Sequence, residues 1–137
     1  TINSLLLGLN LFDIEKVIFI APEGIKPKEE ITRQLNYKYQ ILSNAYEVIG
    51  KLDVLYVTRI QKERYADPLE LKRMEEAYKV TTQLSERMKE NAVILHPLPR
   101  VNEIDKEVDY TKHAKYFQQA AYGVPVRMAI LYKILGG

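Results

Sequence analysis

The chain contains no cysteine and no tryptophan, and only two of its 137 residues are histidine. The lack of cysteine excludes disulfides, thiolate zinc sites and cysteine nucleophiles. The two histidines, His96 and His113, cannot by themselves form a conventional metal site. The formal net charge is only +2, from 20 Lys and Arg against 18 Asp and Glu, whereas nucleic-acid binding calls for basic residues clustered on one face. We therefore expect no metal, no cofactor and no nucleic-acid partner.

A long hydrophobic run is also lacking. The first apolar run, residues 2–7, has no basic start and is too short and interrupted to be a signal peptide or a membrane span. We therefore expect a cytoplasmic protein with no membrane partner. Because the chain opens on Thr1, already inside this run, we interpret residues 1–137 as one domain of a larger protein.

Short β-branched apolar runs alternate with amphipathic stretches along the chain. Strands are predicted at 16–20, 39–42, 53–57 and 92–95, with a weaker candidate at 78–81. Helices are predicted at 2–12, 28–35, 44–49, 68–76, 82–90 and 114–135, the last interrupted by Gly123 and Pro125. This alternation predicts an α/β fold, a doubly wound, mainly parallel open sheet of four to five strands flanked by helices. Ligands bind such sheets at the carboxyl ends of the strands, so the loops after the strands are the candidate sites.

The loop after the predicted strand 53–57 concentrates charge. It reads Thr-Arg-Ile-Gln-Lys-Glu-Arg over residues 58–64. Arg59 is the first charged residue beyond the strand, and its guanidinium matches a carboxylate or a phosphate with two parallel hydrogen bonds. Gln61 can donate and accept, as contact with an amino acid requires, and Glu63 could hold Arg59 or Arg64 in position. The alternative is a solvated loop with weak surface ion pairs, and spacing alone favours that alternative.

The second informative loop is His96-Pro97-Leu98-Pro99-Arg100, directly after the last predicted strand. Its two prolines remove two backbone donors and stiffen the turn, which leaves the carbonyls of Pro97 and Leu98 free to accept from a ligand's amide or amine. Either proline could follow a cis bond, which would redirect those carbonyls. The alternative is a rigid strand exit in which the backbone satisfies His96, and the residues alone favour it.

An acidic stretch, residues 103–109, follows this loop and contains four carboxylates. A calcium-binding loop would need a glycine that this stretch lacks. We therefore interpret the stretch as solvated.

Three segments taken together resemble aspartate carbamoyltransferase. They occur in the family's order and read LDVLYVTRIQKER at 52–64, HPLPRVNEI at 96–104 and YFQQA at 116–120. The similarity extends over essentially all 137 residues and is to the C-terminal, aspartate-binding domain of the catalytic chain. It implies transfer of the carbamoyl group of carbamoyl phosphate to the amine of L-aspartate, the committed step of de novo pyrimidine biosynthesis.

The resemblance also implies roles for substrate-binding residues. Arg59 would clamp a carboxylate of aspartate, and Gln61 would support the same substrate. The backbone of Pro97 and Leu98 would accept hydrogen bonds from the carbamoyl NH2, with the bond between Leu98 and Pro99 in the cis form. Catalysis would then consist mostly of orientation and electrostatic stabilisation, because none of these residues is a nucleophile.

Other implications concern support and partners. Glu63 would orient Arg59, while Arg64 and Glu70 would make domain-closure or subunit contacts. The carbamoyl-phosphate domain of the same polypeptide, absent from residues 1–137, would supply the phosphate site. A homotrimer of catalytic chains, with or without regulatory chains, would complete the enzyme. We therefore expect the isolated domain to be inactive.

Two other functions compete with this one. Ornithine carbamoyltransferase shares the fold, but it typically has a cysteine where this chain has Pro97, and a different amino-acid loop in place of Arg59-Ile60-Gln61. The other competitor is a non-catalytic doubly wound ligand-binding module that retains only the scaffold.

Overall fold

The structure is a computed structural model that describes residues 2–22, 27–60 and 66–136. The chain divides into two compact units, Thr1–Ala45 and Tyr46–Gly137. The first unit contains α1 (Ile2–Leu9), β1 (Lys16–Ile20), α2 (Glu29–Thr32) and β2 (Lys38–Leu42). The second contains β3 (Val54–Tyr56), α3 (Pro68–Ala77), α4 (Thr82–Ser85), β4 (Val93–Leu95) and α5 (Tyr116–Ile134). Short 3-10 helices lie at Ala45–Glu47, Ile49–Lys51 and Lys106–Tyr110.

The first unit is built around the parallel pair β1 and β2. Their register runs from Lys16 opposite Lys38 to Ile20 opposite Leu42. Leu6 of α1 is buried in this unit, and its carbonyl accepts a hydrogen bond from the Tyr37 hydroxyl at 2.8 Å. An apolar side chain and a backbone acceptor of the same helix turn thus both tie α1 to the rest of the unit.

The second unit is built around the parallel pair β3 and β4, with Val54 opposite Val93 and Tyr56 opposite Leu95. Ile94 in the middle of β4 is fully buried, as a short β-branched strand inside a core should be. The chain beyond β4 adds single parallel bridges, Val80 to Ile104 and Ile94 to Ala114. The buried apolar residues of this unit are Ile49, Val57, Val80, Leu84, Met88, Ala92, Ile94, Ile104, Val108 and Tyr116.

The predicted α/β fold with parallel strands is confirmed, and all four main strands form within one residue or so of their predicted bounds. The weaker candidate at 78–81 is reduced to the single bridge of Val80. Leu84 and Met88 are both buried as predicted, although α4 itself ends at Ser85. The predicted helix at 44–49 forms as two 3-10 turns instead.

The predicted interruption of the last helix is wrong. α5 runs continuously for 19 residues through Gly123 and Pro125. A proline inside a helix removes one N–H donor and crowds the preceding turn. Ala121, whose carbonyl would have accepted from residue 125, lies on an exposed part of the helix, where water can take its place. Within the three described ranges, no helix is both long and apolar enough to cross a membrane.

Candidate functional site

The two loops singled out in the sequence leave the same edge of one strand pair. β3 and β4 are parallel neighbours, and just beyond them the Val57 N–H donates to the Leu95 carbonyl at 2.9 Å. Arg59 therefore follows one strand at the edge where His96 follows the other. The pairing of β3 with β4 therefore brings two segments that are 37 positions apart in the sequence into one candidate site.

Arg59 helps to line a small pocket whose other lining residues are Ile60, Glu75, Val101 and Glu103. Glu75 belongs to α3, and Val101 and Glu103 belong to the segment just after the second loop. The Arg59 side chain is exposed, so its guanidinium is accessible to a ligand. The pocket thus combines an accessible cation with acidic side chains from two other parts of the chain.

Of the remaining residues predicted in the first loop, Gln61, Glu63 and Arg64 lie outside the described residues. Glu70 lies in the first turn of α3, where it is exposed and is not among the residues that line the pocket. Asp67 caps the same helix, because its side chain accepts from the Leu69 N–H at 2.9 Å. α3 therefore begins with a side-chain N-cap. Of its residues, only Glu75 lines the pocket.

The second loop has an unusual backbone. The bond between Leu98 and Pro99 is cis, as predicted, and Leu98 has a φ of 52°. Positive φ brings the Leu98 Cβ close to the carbonyl group of the preceding residue, a conformation that costs a non-glycine residue on the order of 1–3 kcal/mol. Pro97 and Pro99 are both exposed. A strained backbone segment at the edge of the sheet, held by surrounding contacts, is typical of a ligand-binding loop.

His96 is buried and fully bonded. Its Nε2 lies 2.8 Å from Oε1 of Glu103, and its Nδ1 accepts from the Leu98 N–H at 2.8 Å. Its own backbone N–H donates to Oε1 of Gln119 in α5 at 2.9 Å. The alternative in which the backbone satisfies His96 holds for Nδ1 only, because Nε2 bonds to the side chain of Glu103.

The prediction of a solvated acidic stretch is wrong for Glu103. This carboxylate is buried, and its Oε2 accepts from the backbone N–H groups of Val101 and Asn102 at 3.0 Å each. Burial acts to raise the pKa of Glu103, but backbone N–H groups and His96 outweigh it and hold the pKa below its ordinary value. The local reason for the burial is that the turn after Arg100 supplies two backbone donors to Oε2, while His96 from the end of β4 bonds to Oε1.

Asp109, at the other end of the acidic stretch, is also paired. It makes two hydrogen bonds with the Arg100 guanidinium, one of them 2.5 Å between Nη2 and Oδ2, and it accepts from the Tyr116 hydroxyl. Burial opposes ionisation of Asp109, yet Arg100 and Tyr116 hold its pKa below the ordinary value. Burial together with the Asp109 charge raises the pKa of Tyr116 to about 12. The Arg100 end of the loop is therefore anchored by charge, as the His96 end is by Glu103.

Sequence reasoning missed Glu103, Asp109 and Gln119 as parts of this site. Gln119 and Tyr116 fall in a segment that the family resemblance had singled out, but spacing alone did not connect them with the loop. The one available signal was the dense set of carboxylates directly after an arginine and two prolines. Among the described residues, no group of three or more His, Asp or Glu side chains is placed to hold a metal ion.

Comparison with known proteins covers nearly the whole chain. The family described as "Aspartate/ornithine carbamoyltransferase, Asp/Orn binding domain" matches residues 1–134. Aspartate carbamoyltransferase catalytic subunits of Sulfolobus acidocaldarius and Saccharolobus solfataricus are each 52% identical over 136 residues, which is 99% of this chain. The matched region is 46% and 45% of those two subunits, so the chain spans somewhat less than half of their length.

Solved structures agree with this similarity. The catalytic subunit of M. jannaschii aspartate transcarbamoylase matches with a TM-score of 0.90 and 41% identity, covering 98% of this chain and 44% of that one. The Trypanosoma cruzi aspartate transcarbamoylase in complex with carbamoyl aspartate and phosphate matches with a TM-score of 0.86 and 33% identity, covering 96% of this chain and 44% of that one.

Proposed function

This chain belongs to the Asp/Orn-binding domain family of the aspartate/ornithine carbamoyltransferases, and we propose that it is the aspartate-binding half of an aspartate carbamoyltransferase. The complete enzyme transfers the carbamoyl group of carbamoyl phosphate to the amine of L-aspartate, a reaction of de novo pyrimidine biosynthesis. The observation that carries the proposal is that Arg59 and the Pro97–Pro99 loop follow neighbouring parallel strands at the same edge of the β3–β4 pair.

The two loops offer complementary chemistry. Arg59 presents an exposed guanidinium, which suits a carboxylate of aspartate. Pro97 and Pro99 have no backbone N–H, and the carbonyls of Pro97 and Leu98 can accept hydrogen bonds from the NH2 of a carbamoyl group. The two substrates react only when they are held side by side, and two neighbouring loops can provide that orientation. Gln61 as a second aspartate contact, Glu63 as a support for Arg59, and Arg64 and Glu70 as closure or subunit contacts remain parts of the proposal.

The carbamoyl-phosphate half of the polypeptide is the first partner that we propose. The relatives are about twice as long as this chain, and α5 leaves large apolar side chains exposed over most of its length. They include Phe117, Tyr122, Val126, Met128, Ile130, Leu131, Tyr132 and Ile134. Exposed apolar side chains in this number are typical of a packing surface, and we assign them to contact with the remaining half. A homotrimer of catalytic chains in the cytoplasm, with or without regulatory chains, belongs to the same proposal and rests on the family relationship.

The test is made on the full-length protein, with aspartate and ornithine each offered as the amino acid with carbamoyl phosphate. We expect turnover with aspartate and none with ornithine. Arg59→Ala should raise the KM for aspartate about 100-fold, equal to about 2.8 kcal/mol, because one charged partner of the substrate carboxylate is lost. Binding of N-(phosphonacetyl)-L-aspartate, measured by calorimetry, should weaken in parallel.

The matched control is Arg73→Ala, which removes another exposed arginine of the same unit, on α3 and outside the pocket lining. It should leave the KM for aspartate unchanged. Turnover with ornithine in place of aspartate would replace the proposal with ornithine carbamoyl transfer. An absence of both turnover and analogue binding in the full-length protein would favour a non-catalytic module.

A further inference from the structure

The buried ring of His96 joins a buried carboxylate to the backbone of the loop that follows β4. A backbone nitrogen can only donate, so the 2.8 Å contact from Leu98 means that Nδ1 of His96 carries a lone pair. In a neutral imidazole the proton is then on Nε2, which points at Oε1 of Glu103. Glu103 therefore selects the tautomer that leaves Nδ1 able to accept from Leu98.

Glu103 is itself rigidly held. Its second oxygen accepts from the N–H groups of Val101 and Asn102, and the exposed fractions of the His96 and Glu103 side chains are only 1% and 7%. Water has little access to either partner, and neither can turn without leaving a buried polar atom unpaired. The orientation of the His96 ring is thus determined by contacts on both of its nitrogens.

The Leu98 N–H shares one planar peptide unit with the Pro97 carbonyl. Among the described residues the one cis bond is the next one, between Leu98 and Pro99, so the unit between Pro97 and Leu98 is trans. In a trans unit the N–H and the carbonyl point in opposite directions. When the His96 ring accepts from the Leu98 N–H, the Pro97 carbonyl must point away from the buried ring.

The conformation of Leu98 makes the hydrogen bond between its N–H and His96 necessary. Its φ of 52° is disfavoured for a residue with a side chain, so a free loop would relax by rotating the peptide units on either side. Gln119 fixes the preceding backbone by accepting from the His96 N–H. The hydrogen bond to Nδ1 is then the contact that determines the direction of the Pro97 carbonyl.

We infer that His96 and Glu103 are positioning residues that aim the Pro97 carbonyl at the carbamoyl group during transfer to aspartate. The inference rests on the proposed function and deepens it, because it adds a nearly buried side-chain pair whose effect on the reaction is exerted through the backbone of the loop. The pair acts through the backbone, and it acts as a unit, since Glu103 sets the proton position that His96 needs.

Two substitutions of His96 separate positioning from stability in the full-length protein. His96→Asn places an amide oxygen near the position of Nδ1, where it can accept from the Leu98 N–H, but it cannot reach Glu103. His96→Gln places an amide nitrogen near the position of Nε2, where it can donate to Glu103, but it offers Leu98 no acceptor. Each variant keeps one of the two hydrogen bonds and loses the other.

The two variants should rank in opposite order for kcat and for Tm. His96→Asn should keep kcat within about fivefold of the wild type, yet it should have the lower Tm because the Glu103 carboxylate loses a buried partner. His96→Gln should have the higher Tm of the two, but kcat should fall about 100-fold, as for the loss of an oriented polar group in an active site. The KM for aspartate should change little in either variant, because Arg59 is untouched.

Glu103→Gln tests the role of the tautomer. A side-chain amide can present its NH2 to Nε2, which would move the imidazole proton to Nδ1 and remove the acceptor for Leu98. We expect a kcat close to that of His96→Gln. If His96→Asn does not fold, the double variant His96→Asn with Glu103→Gln replaces it, because it removes the unpaired buried charge.

Equal kcat values in the two His96 variants, or kcat values that follow Tm, would overturn the inference while wild-type turnover leaves the proposed function intact. A wild-type protein that does not carbamoylate aspartate would overturn both.

Discussion

At the residue scale, the clearest electrostatic feature is a carboxylate shared between two donors. Asp109 bonds to both nitrogens of the Arg100 fork and to the Tyr116 hydroxyl, and Arg100 also lies over the Tyr116 ring, 5.4 Å from its centroid. Tyr116 is fully buried at the start of α5. The cluster therefore attaches the strained loop to the longest helix of the second unit.

We predict that Asp109→Asn lowers the free energy of unfolding at pH 7 by about 1–3 kcal/mol, because charge-assisted hydrogen bonds are lost. The folded pKa of Asp109 is depressed, so its stabilising contribution is present above the unfolded value of about 3.9 and is lost as the pH falls through the lower folded value. The Tm values of wild type and variant should therefore draw together as the pH falls below about 3.9.

The control is Asp53→Asn. Asp53 also contacts a cation, Lys89 at 2.7 Å, but its side chain is 84% exposed. Removing that exposed pair should cost at most about 1 kcal/mol. A difference between Asp109→Asn and the wild type that stays constant across the pH range would show that the loss comes from packing rather than from the charge.

At the scale of the element, α5 is the least conventional helix. It starts with a buried aromatic residue and contains Pro125 nine positions later. Its first turns connect to the candidate site through Tyr116 and Gln119, while the part from Tyr122 onward is mostly exposed in this chain. α5 thus holds the loop in place at its amino end and exposes apolar side chains from Tyr122 onward.

We predict that Pro125→Ala stabilises α5. The change restores a backbone donor inside the helix and exchanges the poorest helix former for the best, a difference of up to about 3 kcal/mol in peptides and less where the helix has already adapted to proline. Thermal melts of the full-length protein should show a higher Tm. An exposed substitution further along, Lys133→Ala, should leave the Tm nearly unchanged. A lower Tm for Pro125→Ala would indicate that the local shape imposed by proline is needed for packing.

At the scale of the whole molecule, the proposed function calls for a second half of the enzyme. The described pocket offers one accessible cation, Arg59, beside acidic side chains, whereas the proposed reaction also needs a site for the phosphate of carbamoyl phosphate. The exposed apolar side chains of α5 and the length of the relatives both support that part of the proposal.

We predict that the isolated 137-residue chain has no carbamoyltransferase activity and that adding the remaining half as a separate polypeptide restores turnover. Replacing the exposed Met128 and Leu131 by glutamate should reduce the restored turnover, because the change introduces charge into the proposed packing surface. The measurement is turnover against the concentration of the added half. Turnover by the isolated chain alone would contradict the prediction.

Much of the fold followed from local pattern. The four strands are short, β-branched and apolar, and such segments have few alternatives to a buried parallel strand. The course of α5 through Pro125 did not follow, because a proline is tolerated or not according to whether the freed carbonyl finds another partner. The hydrogen bonds on both ring nitrogens of His96 did not follow either, since no spacing rule connects a histidine with a glutamate seven positions later in a loop.

The sequence by itself determined the strand and helix pattern, the two loops that contain Arg59 and the Pro97–Pro99 segment, and the resemblance to the carbamoyltransferases. Only the tertiary structure decided that these loops leave one edge of one strand pair, that Leu98 has positive φ, and that Glu103 is buried against His96. The physical reason is that residue types and short periods encode local preferences. Desolvation and hydrogen-bond pairing depend on which distant segments meet, and they turned an acidic stretch that reads as solvated into the support of the candidate site.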